Sequence, residues 1–195
     1  MTGRQQEVAQ KEVRIRDFAT RMGLDGVCLS RALNFSWFTA GGNNRVVTGS
    51  ETGAAALLVL GEKKYVVAPK NEIERMMEEQ VLDLGFEPLT YEWYASREKT
   101  MMDLAGSRQI GTDIPLDGWP VLGADFNRLR YSLTGEEIAR AREIGQICSR
   151  ELAATCVAIY PGMTEWEIQA DLWGGSWINM LSSAWWAKGT ACTWP

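Results

Sequence analysis

The chain has 195 residues, of which 46% are hydrophobic, and its 20 basic and 25 acidic residues give a formal net charge of −5. This length can bury a substantial core and predicts one domain plus part of a second, while basic residues scattered among acidic ones argue against nucleic-acid binding. No apolar run approaches the roughly 20 residues of a membrane helix, and the amino terminus lacks a signal peptide's apolar centre, so we expect a cytoplasmic protein without membrane contact.

The first 53 residues alternate helical and strand-like patterns. Residues 5–22 place apolar residues among charged ones at helical spacing and predict a docking helix. Residues 25–30 predict a short buried strand, and residues 34–40, NFSWFTA, an aromatic turn or short helix. Residues 41–53 are rich in Gly, Asn, Ser and Thr and predict a surface loop. The apolar residues expected on the first helix are Val8, Val13, Ile15, Phe18 and Met22.

Two β-rich runs follow, AAALLVL at 54–60 and YVVAP at 65–69. The Gly-containing turn between them predicts a hairpin. A helix is expected next, with Asn71 as its N-cap, Glu74 three residues later and Gly85 as its stop. Its expected apolar residues are Ile73, Met76, Met77, Val81 and Leu84.

The middle of the chain completes an interleaved pattern. Residues 87–95 alternate like a strand, 96–106 resemble a short helix, and 108–114 resemble another strand. The sequence therefore predicts an α/β fold with a mixed sheet flanked by helices. Residues 115–133 contain several Pro and Gly residues and predict a connector, within which 125–133 could form a short helix.

Two helices are predicted near the carboxyl end. Thr134 and Glu137 form a capping box at the start of a long helix, which Pro161 and Gly162 end. A second capping box, TEWE at 164–167, starts another helix. The apolar positions expected along the long helix are Ile138, Ala141, Ile144, Cys148, Leu152, Thr155 and Ile159.

No residue pattern indicates catalysis or metal binding. The chain has no histidine, and its four cysteines form no C-x-x-C motif, so we expect small buried or half-buried thiols rather than a zinc site. The acidic pairs at 72/74, 78/79 and 136/137 lie at helix starts or on polar helix faces, where negative charge is favourable or solvated. We predict no catalytic residue and no metal ligand in this chain.

Two segments carry a resemblance to a known family. Residues 136–172, EEIARAREIGQICSRELAATCVAIYPGMTEWEIQADL, resemble the opening helices of the catalytic domain in the pita-bread metallopeptidase family, which includes Xaa-Pro aminopeptidases, prolidases and creatinase. Upstream, LSRALNFSWFTAGG at 29–42, the hairpin and EIERMMEEQ at 72–80 resemble the creatinase-type amino-terminal domain, which is ribonuclease H-like. The resemblance covers about residues 10–172.

The resemblance implies three regions: a creatinase-like α/β domain over 1–131, the opening helices of an incomplete catalytic domain over 132–172, and an atypical tail over 173–195. In the family, two Asp, one His and two Glu hold two divalent metals such as Mn or Co, which activate a shared water. None of these motif positions exists in this sequence, which implies a chain without cofactor or peptidase activity. Whether the chain is an enzyme by another route stays open.

The tail WGGSWINMLSSAWWAKGTACTWP matches no pattern of the family and contains five of the nine tryptophans. One hypothesis is a frameshift, truncation or misannotated end. The alternative is an authentic short variant whose tryptophans cover surface that a catalytic domain would otherwise bury.

Three residues are candidates for substrate gating. Trp37, with Phe35 and Phe38, could form the aromatic wall of a substrate cleft, or simply part of the core. The loop with Asn44 and Arg45 could reach a neighbouring subunit's active site, as the resemblance implies, or remain a solvated loop. Arg45 is the first residue to test because a guanidinium can bind a carboxylate through two parallel hydrogen bonds.

Two functions remain open. The chain could be the non-catalytic amino-terminal part of an Xaa-Pro peptidase or creatinase-like hydrolase, serving oligomerisation and substrate gating. Alternatively it could act independently as an interaction module that dimerises through its last two helices, whose apolar faces favour self-association. We expect a homodimer in either case, with a peptide or small amide substrate only in an intact relative.

Overall fold

The structure, a computed structural model, describes residues 2–47 and 49–182, with side chains through residue 174. The chain divides into two compact units, the first covering residues 1–134 and the second beginning at Gly135. The elements of the first unit are α1 (Gly3–Arg21), β1 (Gly26–Arg31), α2 (Ala32–Phe38), β2 (Thr52–Leu60), β3 (Lys63–Pro69), α3 (Ile73–Arg75), a π-helix (Met76–Gln80), β4 (Glu87–Tyr91), α4 (Arg97–Ala105), β5 (Ile110–Thr112) and α5 (Ala124–Arg128). The second unit contains α6 (Gly135–Ala158) and α7 (Glu165–Ser182).

The five strands form one sheet in the order β4-β3-β2-β1-β5. The β1–β2 and β2–β3 pairs are antiparallel, whereas β1–β5 and β3–β4 are parallel. This mixed sheet, flanked by helices and followed by two more helices, confirms the predicted fold class. Strands β4 and β5 are shorter than the runs predicted at 87–95 and 108–114.

The β2–β3 hairpin lies inside the sheet and is buried on both faces. Leu57 and Val66 are register partners and belong to the cluster that faces α1 and α2. Leu58 and Val67 belong to the cluster that faces α4. A strand buried on both faces needs a continuous apolar run, which is why this hairpin was readable from sequence. Gly61, at φ +54°, supplies the turn.

Helix α1 packs on the sheet through a stripe that differs from the predicted one. Val8, Ile15 and Phe18 are buried, as expected. Val13 and Met22 are 57% and 55% exposed, so only part of the expected apolar set faces inward. Position 13 is five residues beyond position 8 and lies well round the helix from it, because a turn takes about 3.6 residues.

The same buried stripe includes an ion pair. Lys11 Nζ donates to Glu7 Oε1 at 2.6 Å and to the Trp37 carbonyl oxygen at 2.6 Å. Neither charged side chain is more than 1% exposed. Because an uncompensated charge is costly in the interior, the pair and its carbonyl partner fix the position of α1 against α2.

The helix predicted after β3 is shorter and partly of another type. Its N-cap is Glu72 rather than Asn71, without a side-chain capping bond. After one turn it widens into the π-helix, in which the Val81 N–H donates to the Met76 carbonyl oxygen at 3.0 Å. It ends at Gln80, before the stop expected at Gly85.

The two helices of the second unit confirm the predicted pair. Thr164 and Glu167 form the predicted capping box, since the Thr164 N–H donates to Glu167 Oε2 at 2.7 Å and the Glu167 N–H donates to Thr164 Oγ1 at 3.3 Å. These bonds to the Thr164 backbone and hydroxyl lower the pKa of Glu167. Helix α7 continues to Ser182, past the predicted end at 172. The rest of the predicted tail, residues 183–195, lies outside the described residues.

The buried stripe of α6 includes the predicted Thr155 but otherwise lies one position before the predicted Cys148 and Leu152. Ile147, Glu151 and Thr155 are buried, whereas Cys148 is exposed and Leu152 is 54% exposed. Each residue advances a helix by about 100°, so neighbours in sequence face different sides. Across the described residues, no helix combines the length and apolarity needed to cross a membrane.

The revised orientation of α1 is testable with two truncations on the same helix. Ile15 is fully buried and Val13 is mostly exposed. We expect Ile15→Ala to lower the free energy of unfolding by about 2–5 kcal/mol, as for a large-to-small core change, and Val13→Ala to change it by less than about 0.5 kcal/mol. Urea denaturation followed by circular dichroism measures both, and equal losses would refute this orientation.

Candidate functional site

The loop that connects α2 to β2, residues 39–51, holds the exposed member of the three gating candidates. The Arg45 side chain is exposed, and its backbone N–H donates to Asn43 Oδ1 at 3.0 Å. Val46 and Val47 beside it are 66% and 65% exposed. The loop therefore presents a guanidinium next to two apolar side chains, a combination suited to an anionic group with an apolar neighbour.

Asn44 lies in the base of the loop rather than at its surface. It is fully buried, and its Nδ2 donates to the Ala55 carbonyl oxygen at 2.7 Å. The Ala54 N–H donates back to the Asn44 carbonyl oxygen at 2.8 Å. A Cβ on Gly53 would lie 2.1 Å from Asn44 Cγ, so only glycine leaves room for this side chain. Asn44 anchors the loop on β2.

The other side of the loop base is tied to α2 and the π-helix. Thr39 Oγ1 donates to the Phe35 carbonyl oxygen at 2.8 Å and accepts from the Gly42 N–H at 3.0 Å. The Asn43 N–H donates to Gln80 Oε1 at 2.8 Å. Residues 42–44 are thus held by three different elements immediately before Arg45.

Trp37 belongs to the aromatic core. It is 9% exposed, and its ring centroid lies 6.3 Å from that of Phe126 and 6.5 Å from that of Phe38. Phe35 is fully buried as well. Of the three candidates, Trp37 lies in the core, Asn44 anchors the loop from inside, and Arg45 is exposed. The gating role itself stays a prediction.

Sequence reasoning missed Asp113, which joins three elements at one end of the sheet. Its Oδ1 accepts from the Ser30 N–H at 2.7 Å, and its Oδ2 accepts from the Arg31 N–H at 2.9 Å and from Asn34 Nδ2 at 2.8 Å. Asp113 follows β5, and parallel neighbours such as β1 and β5 end at the same edge of a sheet. The strand predicted over 108–114 placed Asp113 inside the strand and hid this signal. Both oxygens are already engaged by donors of this chain, which indicates a structural role.

Arg31 connects Asp113 to Glu51, the last residue of the loop. Its Nε donates to the Asp113 carbonyl oxygen at 3.0 Å, and its Nη1 pairs with Glu51 Oε2 at 2.9 Å. The Ala32 N–H donates to the Glu51 carbonyl oxygen at 2.8 Å. The loop therefore begins and ends against α2, so its exposed residues project from a closed base.

Cys28 is a buried thiol, whereas Cys148 and Cys156 are exposed, so the expected burial of these two is wrong. Burial raises the pKa of the Cys28 thiol to about 12, which keeps it protonated and unreactive near neutral pH. Within residues 2–47 and 49–182, no three His, Cys, Asp or Glu side chains are grouped closely enough to hold a metal ion. The two-metal donor set that the resemblance implies for the family has no counterpart among these residues.

Comparison with solved structures defines the class of fold. An Xaa-Pro dipeptidase from Bacillus anthracis matches with a TM-score of 0.69 and 16% identity, covering 88% of this chain and 49% of that one. Dipeptidase PepE from Mycobacterium ulcerans matches with a TM-score of 0.68 and 18% identity, covering 89% of this chain and 50% of that one. The prolidase of Pyrococcus horikoshii OT3 matches with a TM-score of 0.66 and 17% identity, covering 87% of this chain and 49% of that one.

The chain therefore has the fold of the amino-terminal portion of Xaa-Pro dipeptidases and prolidases, as the creatinase-like resemblance predicted. It spans about half the length of these three structures. No protein-family profile matches the sequence, and no curated protein matches it either. At this level of identity the likeness establishes the fold.

The anchoring role of Asn44 is testable at two glycines. We expect Gly53→Ala to lower the free energy of unfolding by about 1–3 kcal/mol, because its methyl group would overlap the Asn44 amide. A Cβ added to Gly49, in the same loop, would meet open space. Gly49→Ala should therefore change the free energy of unfolding by less than about 1 kcal/mol. Chemical denaturation compares the two; equal stability of both variants would contradict the close packing at Gly53.

Proposed function

We propose that this chain is the non-catalytic amino-terminal part of an Xaa-Pro peptidase-like hydrolase, serving oligomerisation and substrate gating, with no peptidase activity of its own. The observation that carries the proposal is the match of 87–89% of the chain to about half of three such enzymes. The substrate in an intact relative would be a peptide or small amide. A cytoplasmic location is part of the same proposal.

The gating role rests on the geometry of the loop. Arg45 is exposed, and the residues before it are fixed by Asn44 on β2 and by Gln80 at the end of the π-helix. Because the backbone before Arg45 is already held, binding through Arg45 would have to order mainly its side chain. Such a group would bind the carboxylate of a short peptide at the entrance of a neighbouring subunit's cleft.

The oligomerisation role rests on apolar surface in the second unit. Val157, Tyr160 and Trp166 are 87%, 62% and 80% exposed. Large exposed apolar patches usually mark contacts with another protein. We propose a homodimer that covers this surface. The same observation supports the second candidate function, an independent interaction module that dimerises through α6 and α7.

The family resemblance would bring two divalent ions, such as Mn or Co, whose chemistry is the activation of a shared water. No residue of the described range is assigned to them, because no suitable cluster of ligands is present there. In this proposal the chain's own contribution is positioning and access.

Mass and activity of the purified chain test this proposal together. We expect sedimentation equilibrium to give about twice the 21.8 kDa of one chain and no hydrolysis of Xaa-Pro dipeptides with added Mn²⁺ or Co²⁺. Val157→Asp should yield monomers because it replaces an exposed apolar side chain of the proposed interface with a charge. Leu82→Asp, at a site 57% exposed in the first unit, is the matched control and should leave the mass unchanged.

Metal-dependent turnover by the pure chain would contradict the inactive part of this proposal. A monomeric wild-type chain would contradict the homodimer and, with it, the interaction module.

Gating by Arg45 requires a catalytic domain, which a chimera supplies. Residues 1–131 would replace the equivalent domain of the Bacillus anthracis Xaa-Pro dipeptidase. We expect Arg45→Ala to raise KM about tenfold with a smaller change in kcat, because the variant loses one charge-assisted hydrogen bond to the substrate. The KM of the Arg45→Lys chimera should lie between those of the unchanged and the Arg45→Ala chimeras, because lysine keeps the charge without the planar guanidinium. Lys99→Ala is the exposed control, and an equal rise in KM there would refute the role of Arg45.

A further inference from the structure

We infer that Gln80 is the positioning residue of the loop that carries Arg45. The Gln80 side chain accepts a hydrogen bond from the Asn43 N–H at 2.8 Å. Asn43 Oδ1 in turn accepts from the Arg45 N–H at 3.0 Å. Gln80 thereby holds the residue that orients the Arg45 backbone, although it lies 37 positions from Asn43 in sequence.

The main chain of Gln80 also forms part of the surface on which the loop rests. Arg4 donates from Nη2 to the Gln80 carbonyl oxygen and from Nε to the Thr39 carbonyl oxygen, the second at 3.0 Å. Arg4 therefore joins the two supports of the loop. A Cβ on Gly42 would lie 2.5 Å from Thr39 Oγ1 and 3.0 Å from the Gln80 carbonyl oxygen, so the loop approaches both closely.

The π-helix explains why Gln80 points to this place. Gln80 is its last residue, and the turn closes through the bond from the Val81 N–H to the Met76 carbonyl oxygen. A π turn holds one more residue than an α turn, and such turns occur frequently at functional sites. This extra residue shifts the side chains at the end of the turn by about one position, or about 100°, round the axis compared with a regular α-helix.

The loop is thus held on two sides by bonds that can be separated experimentally. On one side the Asn43 N–H donates to Gln80 Oε1, and on the other the Ala54 N–H donates to the Asn44 carbonyl oxygen at 2.8 Å. Loss of the Gln80 acceptor should release the segment before Arg45 while Asn44 remains attached to β2. Substrate gating, the purpose that this positioning would serve, rests on the proposed function. The positioning itself rests on the hydrogen bonds of Gln80 and Asn43 alone.

Trypsin cleavage after Arg45 in the full chain measures the release. We expect Gln80→Met, which keeps the side-chain length but removes the acceptor, to speed this cleavage about fivefold, the effect of one neutral hydrogen bond. Gln80→Glu retains an acceptor oxygen and should cleave at close to the wild-type rate. Glu78→Met, at an exposed position of the same π-helix, is the matched control. Mass spectrometry of the 1–45 fragment identifies the cut.

Three outcomes would overturn the inference. The first two are wild-type cleavage in Gln80→Met and faster cleavage in Glu78→Met by the same factor. The third applies if Gln80→Met also lowers the unfolding midpoint, and amide exchange detects it. The Asn43 amide should then exchange faster while the Ala54 amide keeps its wild-type rate, and an equal gain at both would signal general unfolding.

The cleavage experiment needs no partner subunit and no substrate. Faster cleavage with an unchanged KM in the Arg45→Ala chimera would retain the positioning role and reject the gating function. Unchanged cleavage with a raised KM would reject the positioning role and retain gating.

Discussion

The first unit depends on one constraint, the burial of the β2–β3 hairpin on both faces. Leu57 and Leu58 are neighbours in sequence, and both are fully buried because they point into opposite clusters. Every other strand extends the sheet outward from this pair. Helices α1 and α2 cover one face and α4 the other, so the hairpin fixes the distance and orientation of all three. A polar residue at either leucine would face a closed apolar cluster.

The same constraint produces the candidate site. The first residues of β2 accept the Asn44 amide and leave room for it at Gly53. Asp113 ties the end of β1 to α2, and Arg31 carries that tie to Glu51. The loop between α2 and β2 is therefore closed at its base and exposed at Arg45. Its geometry is a consequence of the sheet rather than of the loop's own composition.

Local signals in the sequence were sufficient for the hairpin and for the capping box at Thr164, because a continuous apolar run and a capping box each involve residues a few positions apart. They were not sufficient for contacts made by the folded chain. The burial of Asn44 depends on Gly53, and the role of Asp113 depends on β1 and β5 meeting at one edge. The π-helix replaced a regular helix that the apolar spacing equally allowed. The exposure of Arg45 was predicted; the supports that hold its loop were not.

The central claim is that a hairpin buried on both sides holds a loop whose exposed residues are free to contact another molecule. Native-state amide hydrogen exchange of the full chain tests it most directly, since exchange reports the free energy of opening at each amide. The amides of Leu57 and Val66 should be among the slowest, opening only with global unfolding, while that of Val46, an exposed residue of the loop, should exchange rapidly. Exchange at Leu57 as fast as at Val46 would contradict this account.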